Sequence, residues 1–424
     1  MTSENHERKN SGELDAETPD LSRRSFFKGT LGAALAGTAA IALSPKMTMA
    51  AQGKTEAAKI KNIVGPVTPG KLISAKGYAA FGESQPLRAY QFERRAVGPN
   101  DVAIEIQYCG VCHSDIHDIN GHWFKRQFPL VPGHEVAGVV IAVGSTVSRH
   151  KVGDRVGVGA MVDSCGVCSE CNAGFEQYCL NDITYTYGSP TKDPTGISQG
   201  GYSNVMVVRD KFVIAIPDNM QLASVGPLMC AGITVYSPMR HWQIRPGHKI
   251  GIVGFGGLGH IAVKMAKALG AEIVVLTTSP EKVKDAKAFG ASDVIVNYEP
   301  GGLKKYFRQL DFILDTVPYQ HDMDPYMSLL KRDATLCLVG VGKSSEPNQL
   351  RPFTTVSWRT NFAGSQIGSP HEIQEAIDFC ALNNIAPTIE LIPIQQINTA
   401  WENVVKKKVR YRYVIDMTSL ASEA

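Results

Sequence analysis

Four cysteines stand in close order in this chain: Cys165, Cys168, Cys171 and Cys179, separated by two, two and seven residues. Thiolates so spaced can close a tetrahedral all-sulfur shell around zinc, with Zn–S distances of roughly 2.3 Å and no position left for substrate. Such a centre folds a lobe and does no chemistry. The same sulfurs could form two disulfides in an exported protein, or hold an iron–sulfur cluster if the chain had a one-electron role. Zinc is favoured, because nothing else in the sequence asks for redox chemistry at this place. A second group is dispersed. It begins with Cys109-Gly110-Val111-Cys112-His113-Ser114-Asp115-Ile116-His117, continues at Pro132-Gly133-His134-Glu135 and ends at Met229-Cys230-Ala231-Gly232. Singly these residues are ordinary: a redox pair, a buried polar side chain, a core cysteine. Together they offer two soft thiolates and an imidazole, which suits a zinc with one position open to water or substrate.

A third group binds rather than reacts. Ile250-Gly251-Ile252-Val253 reads as a buried strand, and Gly254-Phe255-Gly256-Gly257-Leu258-Gly259 follows it into a helix over 258–269. In a dinucleotide-binding turn Gly254 makes the tight bend, Gly256 lets backbone approach the pyrophosphate, and Gly259 lets helix and strand pack closely. The helix N-terminus then faces the phosphates. After the next strand come Thr277-Thr278-Ser279-Pro280-Glu281-Lys282, where an NAD-selective site would carry an acid. Hydroxyls and a lysine suit a 2′-phosphate, so NADP(H) is expected; Thr277→Asp should move relative kcat/KM toward NADH. The same residues also read as a helix start, with Ser279 as N-cap and Pro280 in the first position.

These groups need two scaffolds. A chain of 424 residues exceeds one hydrophobic core. Its 44% hydrophobic and 20% charged residues describe a soluble globular protein. The balance of 43 Lys+Arg against 40 Asp+Glu argues against a dedicated nucleic-acid binder. From 71 to about 227 short alternating runs, such as 102–106 and 136–143, are broken by turn residues and read as β. From about 230, strands at 250–253, 273–276, 312–314 and 336–339 alternate with helical stretches at 258–269 and 281–289. That pattern predicts an α/β parallel sheet with crossover helices. A helix over 370–382 and a strand near 411–415 close the chain, and the tail is expected to return to the first domain.

Residues 1–50 form a separate unit of sequence. Ser22-Arg23-Arg24-Ser25-Phe26-Phe27-Lys28 precedes a mildly apolar run over 29–43, and small residues surround Ala50. Fifteen residues fall short of the roughly twenty that cross a bilayer, so no stable membrane span is expected. The arrangement resembles a twin-arginine export signal. It predicts engagement of the twin-arginine export machinery, periplasmic location with some cytoplasmic pool, and a linker over 51–70.

From about 71 to 417 the chain resembles the zinc-dependent medium-chain alcohol dehydrogenases. Within them it is similar to the cinnamyl-alcohol-dehydrogenase branch and its bacterial broad-range aldehyde reductases. The resemblance is carried by Cys-Gly-Val-Cys-His-Ser-Asp at 109–115, Val-Pro-Gly-His-Glu at 131–135, the four-cysteine lobe, Gly-Gly-Tyr-Ser at 200–203, Cys-Ala-Gly-Ile-Thr at 230–234, the glycine loop, and Gly-Ser-x-Ile-Gly at 364–368. It implies a GroES-like β catalytic domain over 71–229 with its zinc lobe at 165–179. A Rossmann doubly wound parallel-sheet domain over 230–364 and a return to the catalytic domain over 365–424 would follow. By the same resemblance Cys112, His134 and Cys230 hold a catalytic zinc, Glu135 visits the metal, and Asp115 orients His134. Ser114 contacts the substrate oxygen and His117 passes the proton outward through the cofactor ribose. His113, Thr234, Gly254, Gly256, Gly257, Leu258, Gly259, Thr277, Thr278, Ser279 and Lys282 meet NADP(H), while Trp123 and Tyr185 line the substrate pocket. Cys109 is left out of the ligand set, and Cys337 and Cys380 pack. The implied activity is hydride transfer between NADP(H) and an aldehyde or primary alcohol, broad-range or of the aromatic cinnamyl type, by a homodimer carrying two zinc ions per subunit. The family is ordinarily cytoplasmic, so the leader departs from its pattern. Two further readings stand beside this one: a nicotinoprotein that keeps its cofactor bound and uses a second electron acceptor, and a non-catalytic zinc- and nucleotide-binding protein. The complete ligand set argues against the latter.

Overall fold

A computed structural model describes residues 61–296 and 301–422. The expected twin-arginine signal over 1–50 and the first part of the expected linker lie outside the described residues.

The first sheet is built on the strand Asp101–Gly110, whose inward and outward faces are both covered. It pairs antiparallel with Val136–Val143 and with Val205–Arg209. Arg155–Val158 and Ile214–Ala215 extend the sheet on one side. Its other side is filled from the far end of the chain, by Arg412–Asp416 and then Ile389–Pro393. Glu105, in the middle of this strand, is fully buried, and a buried carboxylate needs donors. It takes them from the backbone N–H groups of Lys61 and Ile63, at 2.6 and 3.1 Å. The segment read as a linker is therefore anchored from Lys61 onward, with Ile63, Val64 and Val67 against the core.

The second sheet is parallel throughout, with the order Asp293–Val296, Glu272–Thr277, Lys249–Val253, Leu310–Asp315, Leu330–Leu338, Asn361–Gly364. In chain order this is 3-2-1-4-5-6, the doubly wound dinucleotide-binding arrangement, whose switch point lies beside the first strand. The helix Gly257–Ala268 packs on it through Ile261, Ala262, Val263, Met265 and Ala266, all fully buried. Among the described residues no single helix is long and apolar enough to cross a membrane. The bent pair Leu222–Met229 and Ala231–His241 has the composition but is core.

Candidate active site

Cys112 lies just beyond the strand Asp101–Gly110 and opens the helix His113–Ile119. Cys109, three residues earlier, stays in the strand and faces the core, so only one member of the C-x-x-C pair reaches the cleft. The backbone N–H of Cys112 donates to Asp115 Oδ2 at 3.1 Å. Asp115 is fully buried and accepts three more bonds: from Gly133 N–H, from the Tyr202 hydroxyl, and from His134 Nδ1 at 2.9 Å. A carboxylate only accepts, so the His134 proton sits on Nδ1 and the lone pair of Nε2 points away from Asp115. Nε2 meets Cys230 Sγ at 3.1 Å, and Cys230 Sγ lies 4.0 Å from Cys112 Sγ. The ligand atoms of Cys112, His134, Glu135 and Cys230 all lie within 4.8 Å of one another, and all four residues are buried.

The donor chemistry fits zinc. Two sulfurs of a tetrahedral site at Zn–S of about 2.3 Å stand roughly 3.8 Å apart. The hydrogen bond from Cys230 draws the Cys112 thiol well below its usual range, against burial, and the same contact raises Cys230. A divalent cation in the proton's place would ionise both. Glu135 completes the cluster. Burial pushes its carboxyl up to about 8, against the Arg412 guanidinium 2.8 Å from Oε1. That contact is an ion pair without hydrogen-bond geometry, so both carboxylate oxygens are buried without a donor. Gly110 makes room for them, since a Cβ there would lie 2.0 Å from Glu135 Oε2.

Ser114 Oγ is 3.5 Å from Cys112 Sγ. The His117 ring is sandwiched between His113, at 4.7 Å and 24°, and Trp123, at 5.1 Å and 20°. Its Nδ1 meets His122 Nδ1 at 2.8 Å, while Nε2 is buried with no partner. Burial, then the neighbouring His113 and His122, hold His117 down to about 4, so it is neutral at pH 7. Neither His122 nor Arg412 was visible as a site residue from the sequence, because each comes from outside the motifs and is brought in only by packing.

The cofactor turn has three distinct glycines. Gly254 has φ +89, a Cβ on Gly256 would stand in open space, and one on Gly259 would lie 2.1 Å from the Gly254 carbonyl. One cavity of about 900 Å³ is lined by Cys112, His134 and Cys230, by His113 and Thr234, and by Gly254, Gly256, Gly257 and Leu258. Gly259 lies beneath it and packs. Thr277, Thr278, Ser279 and Lys282 also line it, and the one carboxylate among its described lining residues, Asp118, is paired with Arg126. Ser279 takes the N-cap position and Pro280 the first position, but the Ser279 hydroxyl makes no capping bond. The Thr277 hydroxyl instead accepts the Ser279 N–H at 3.2 Å. Lys282 is buried, its ammonium 5.6 Å above the Tyr411 ring. Hydroxyls, a lysine and open backbone fit a phosphorylated dinucleotide. Trp123 and Tyr185 also line the cavity; Trp123 Nε1 donates to the Gly342 carbonyl at 2.8 Å, and Tyr185 accepts from Gln366.

Apart from this cleft, the strands Met161–Ser164 and Ile183–Tyr185 form a ribbon that carries the four-cysteine lobe. Cys165 Sγ to Cys171 Sγ and Cys168 Sγ to Cys179 Sγ are both 3.9 Å, close to the tetrahedral edge and far from a disulfide bond. Backbone N–H groups of Val167 and Cys168 point at Cys165 Sγ, and those of Cys171 and Leu180 at Cys168 Sγ. These donors hold the Cys165 thiol down to about 6.

Residues 98–218 match the family described as alcohol dehydrogenase GroES-like domain, and 257–381 match zinc-binding dehydrogenase. Aldehyde reductase YahK of Escherichia coli is 47% identical, the match covering 82% of this chain and 99% of that one. NADP-dependent alcohol dehydrogenase C 1 of Mycolicibacterium smegmatis is 46% identical over 83% of this chain and all of its own length. Among solved structures, CAD from Helicobacter pylori complexed with NADP(H) superposes with a TM-score of 0.78 at 39% identity, covering 82% and 99% of the two chains.

Proposed function

This chain belongs to the zinc-dependent medium-chain alcohol dehydrogenases, and from that membership we propose that its cleft interconverts aldehydes and primary alcohols with NADP(H). One observation carries the reading: Cys112, His134 and Cys230 open onto the same cavity as the glycine turn. A zinc ion held by these three residues supplies Lewis-acid polarisation of the substrate oxygen, and NADP(H) supplies or accepts the hydride. Asp115 fixes the tautomer of His134 that leaves Nε2 free to coordinate. Glu135 would offer the metal a fourth donor, restrained by Arg412. Ser114 is placed to donate a proton to, or accept one from, the substrate oxygen. His117, neutral at pH 7, takes a proton at its unpartnered Nε2 and hands one on from Nδ1 to His122 at the rim. Ser114 and His117 both line the cavity that would hold the cofactor. Trp123 and Tyr185 give the pocket flat walls, which favour aromatic substrates of the cinnamyl type.

A panel of aromatic and aliphatic aldehydes with NADPH, followed by loss of nicotinamide absorbance, tests the activity; no turnover on any of them would leave only a binding role. A nicotinoprotein would show a single burst of bound cofactor and no continuing NADPH consumption.

Homodimer formation is supported by the apolar edge of the parallel sheet, where Phe353, Val356, Trp358 and Phe362 are exposed beside the last strand, Asn361–Gly364. Light scattering of Phe353→Glu against the parent chain tests it. Export is supported by the order of leader, paired arginines and small residues. Replacing Arg23 and Arg24 by Lys should retain the full-length chain in the cytoplasm, and periplasmic arrival of that variant would exclude the twin-arginine route.

A further inference from the structure

The basic run at 406–412 holds five cations, and three of them face an acid. Lys406 pairs with Glu402, Arg410 with Asp285, and Arg412 with Glu135. Among the described residues Lys407 and Lys408 have no carboxylate within ion-pair distance, and of the two only Lys407 lines the cofactor cavity. Its ammonium lies 5.0 Å from the centroid of the Tyr319 ring, whose edge meets His113 at 5.6 Å.

The backbone is the second observation. Lys407 follows the helix Ile397–Val405 and donates its N–H to the Val404 carbonyl at 3.0 Å, with φ +58. This is the left-handed position that closes helices, usually filled by glycine or asparagine because other side chains crowd the backbone there. A long cationic side chain is thus kept where a small residue would relieve strain, at the mouth of an anion-binding cleft. Lys282 lines the cavity with Thr277, Thr278 and Ser279, whereas Lys407 stands by Tyr319 and, through that ring, by His113.

We propose that Lys407 is a cofactor-binding residue whose ammonium pairs with the pyrophosphate of NADP(H), reaching across from the returning tail to the nucleotide domain. This rests on the reading of the cleft as an NADP(H) site. The test uses the full-length, zinc-loaded protein, with binding of NADPH and of NADH measured by calorimetry and thermal unfolding recorded without nucleotide. Lys407→Asn should weaken both nucleotides by the same factor, about tenfold, and Lys407→Arg should bind nearly as the parent does. Without nucleotide, Lys407→Asn should melt no lower than the parent, and by relief of strain about 1–3 °C higher. Unchanged affinities overturn the proposal. Loss confined to NADPH would place the ammonium on the 2′-phosphate and overturn the pyrophosphate assignment. A lower melting temperature together with weaker binding would make Lys407 a structural cap. A parent protein that binds neither nucleotide would overturn the cofactor reading itself.

Discussion

The two metal-ligand clusters are built on opposite principles. The four-cysteine lobe draws its donors from fifteen consecutive positions, and two of its sulfurs are steadied by backbone N–H groups of the same short stretch. The cleft cluster draws on residues 112, 134, 135 and 230, all buried, and two of its donors are held by side chains from elsewhere: Asp115 on His134, Arg412 against Glu135. A closed shell of local donors can only brace the fold. A shell assembled from distant segments, opening onto a cavity, can expose one coordination position to substrate while packing holds the rest. Ligand type alone does not separate structure from chemistry; the origin of the ligands and what they face does.

Breaking the lobe should give the largest effect. Structural zinc contributes on the order of 10 kcal/mol of apparent folding free energy in isolated small domains. Cys168→Ala should therefore lower zinc content from two ions to one, which elemental analysis would read, and open 165–179 to proteases. Two zinc ions retained in that variant would contradict the closed-shell assignment. Cys112→Ser is the converse experiment. It should cut turnover by about a thousandfold or more while melting temperature and NADPH affinity stay near those of the parent. A collapse of stability in its place would erase the distinction between the clusters.

The cleft also depends on neutral imidazoles, of which the lobe has none. His260 is fully buried, donating from Nδ1 to the Gly256 carbonyl at 3.1 Å and accepting the Thr388 N–H at Nε2, so that it ties the glycine turn to the returning tail. Burial holds it down to about 3, and His117 down to about 4. A histidine whose folded pKa lies below the unfolded value of about 6.5 binds fewer protons folded than unfolded. Its contribution is complete above that value and is lost as pH falls through the window down to the folded pKa. Denaturant unfolding should show about 2 kcal/mol less stability at pH 5 than at pH 7.5 from His260, a slope that His260→Asn would flatten. The smallest effect is expected from His117→Ala, a loss of turnover of about tenfold, since water can enter the space and carry protons. A loss as deep as that of Cys112→Ser would require His117 to do more than relay.

Much of this architecture is written locally. The strand at 136–143 and the helix over 370–382 are recovered residue for residue, because an apolar run bounded by turns and an N-terminal Ser369-Pro370 cap are properties of short segments; the strand departs from expectation only in being buried on both faces over its first five residues. The four-cysteine spacing and the glycine turn are legible for the same reason: chelation and phosphate binding there use neighbours in the chain. What only the tertiary structure decided lies between distant segments. Cys109 and Cys112 look equivalent in sequence, and strand geometry turns one inward and the other into the cleft. Arg412 finds Glu135, and the backbone at Lys61 and Ile63 satisfies Glu105, each across a long stretch of chain, while His122 meets His117 only because the chain turns back after its helix. No periodicity encodes such pairs, because their partners are set by which buried charge or ring nitrogen still needs one after the sheets have closed. The tail enters the first sheet on the same ground, as the strand that can occupy the open side of Asp101–Gly110 while carrying Arg412 beneath the glycine turn.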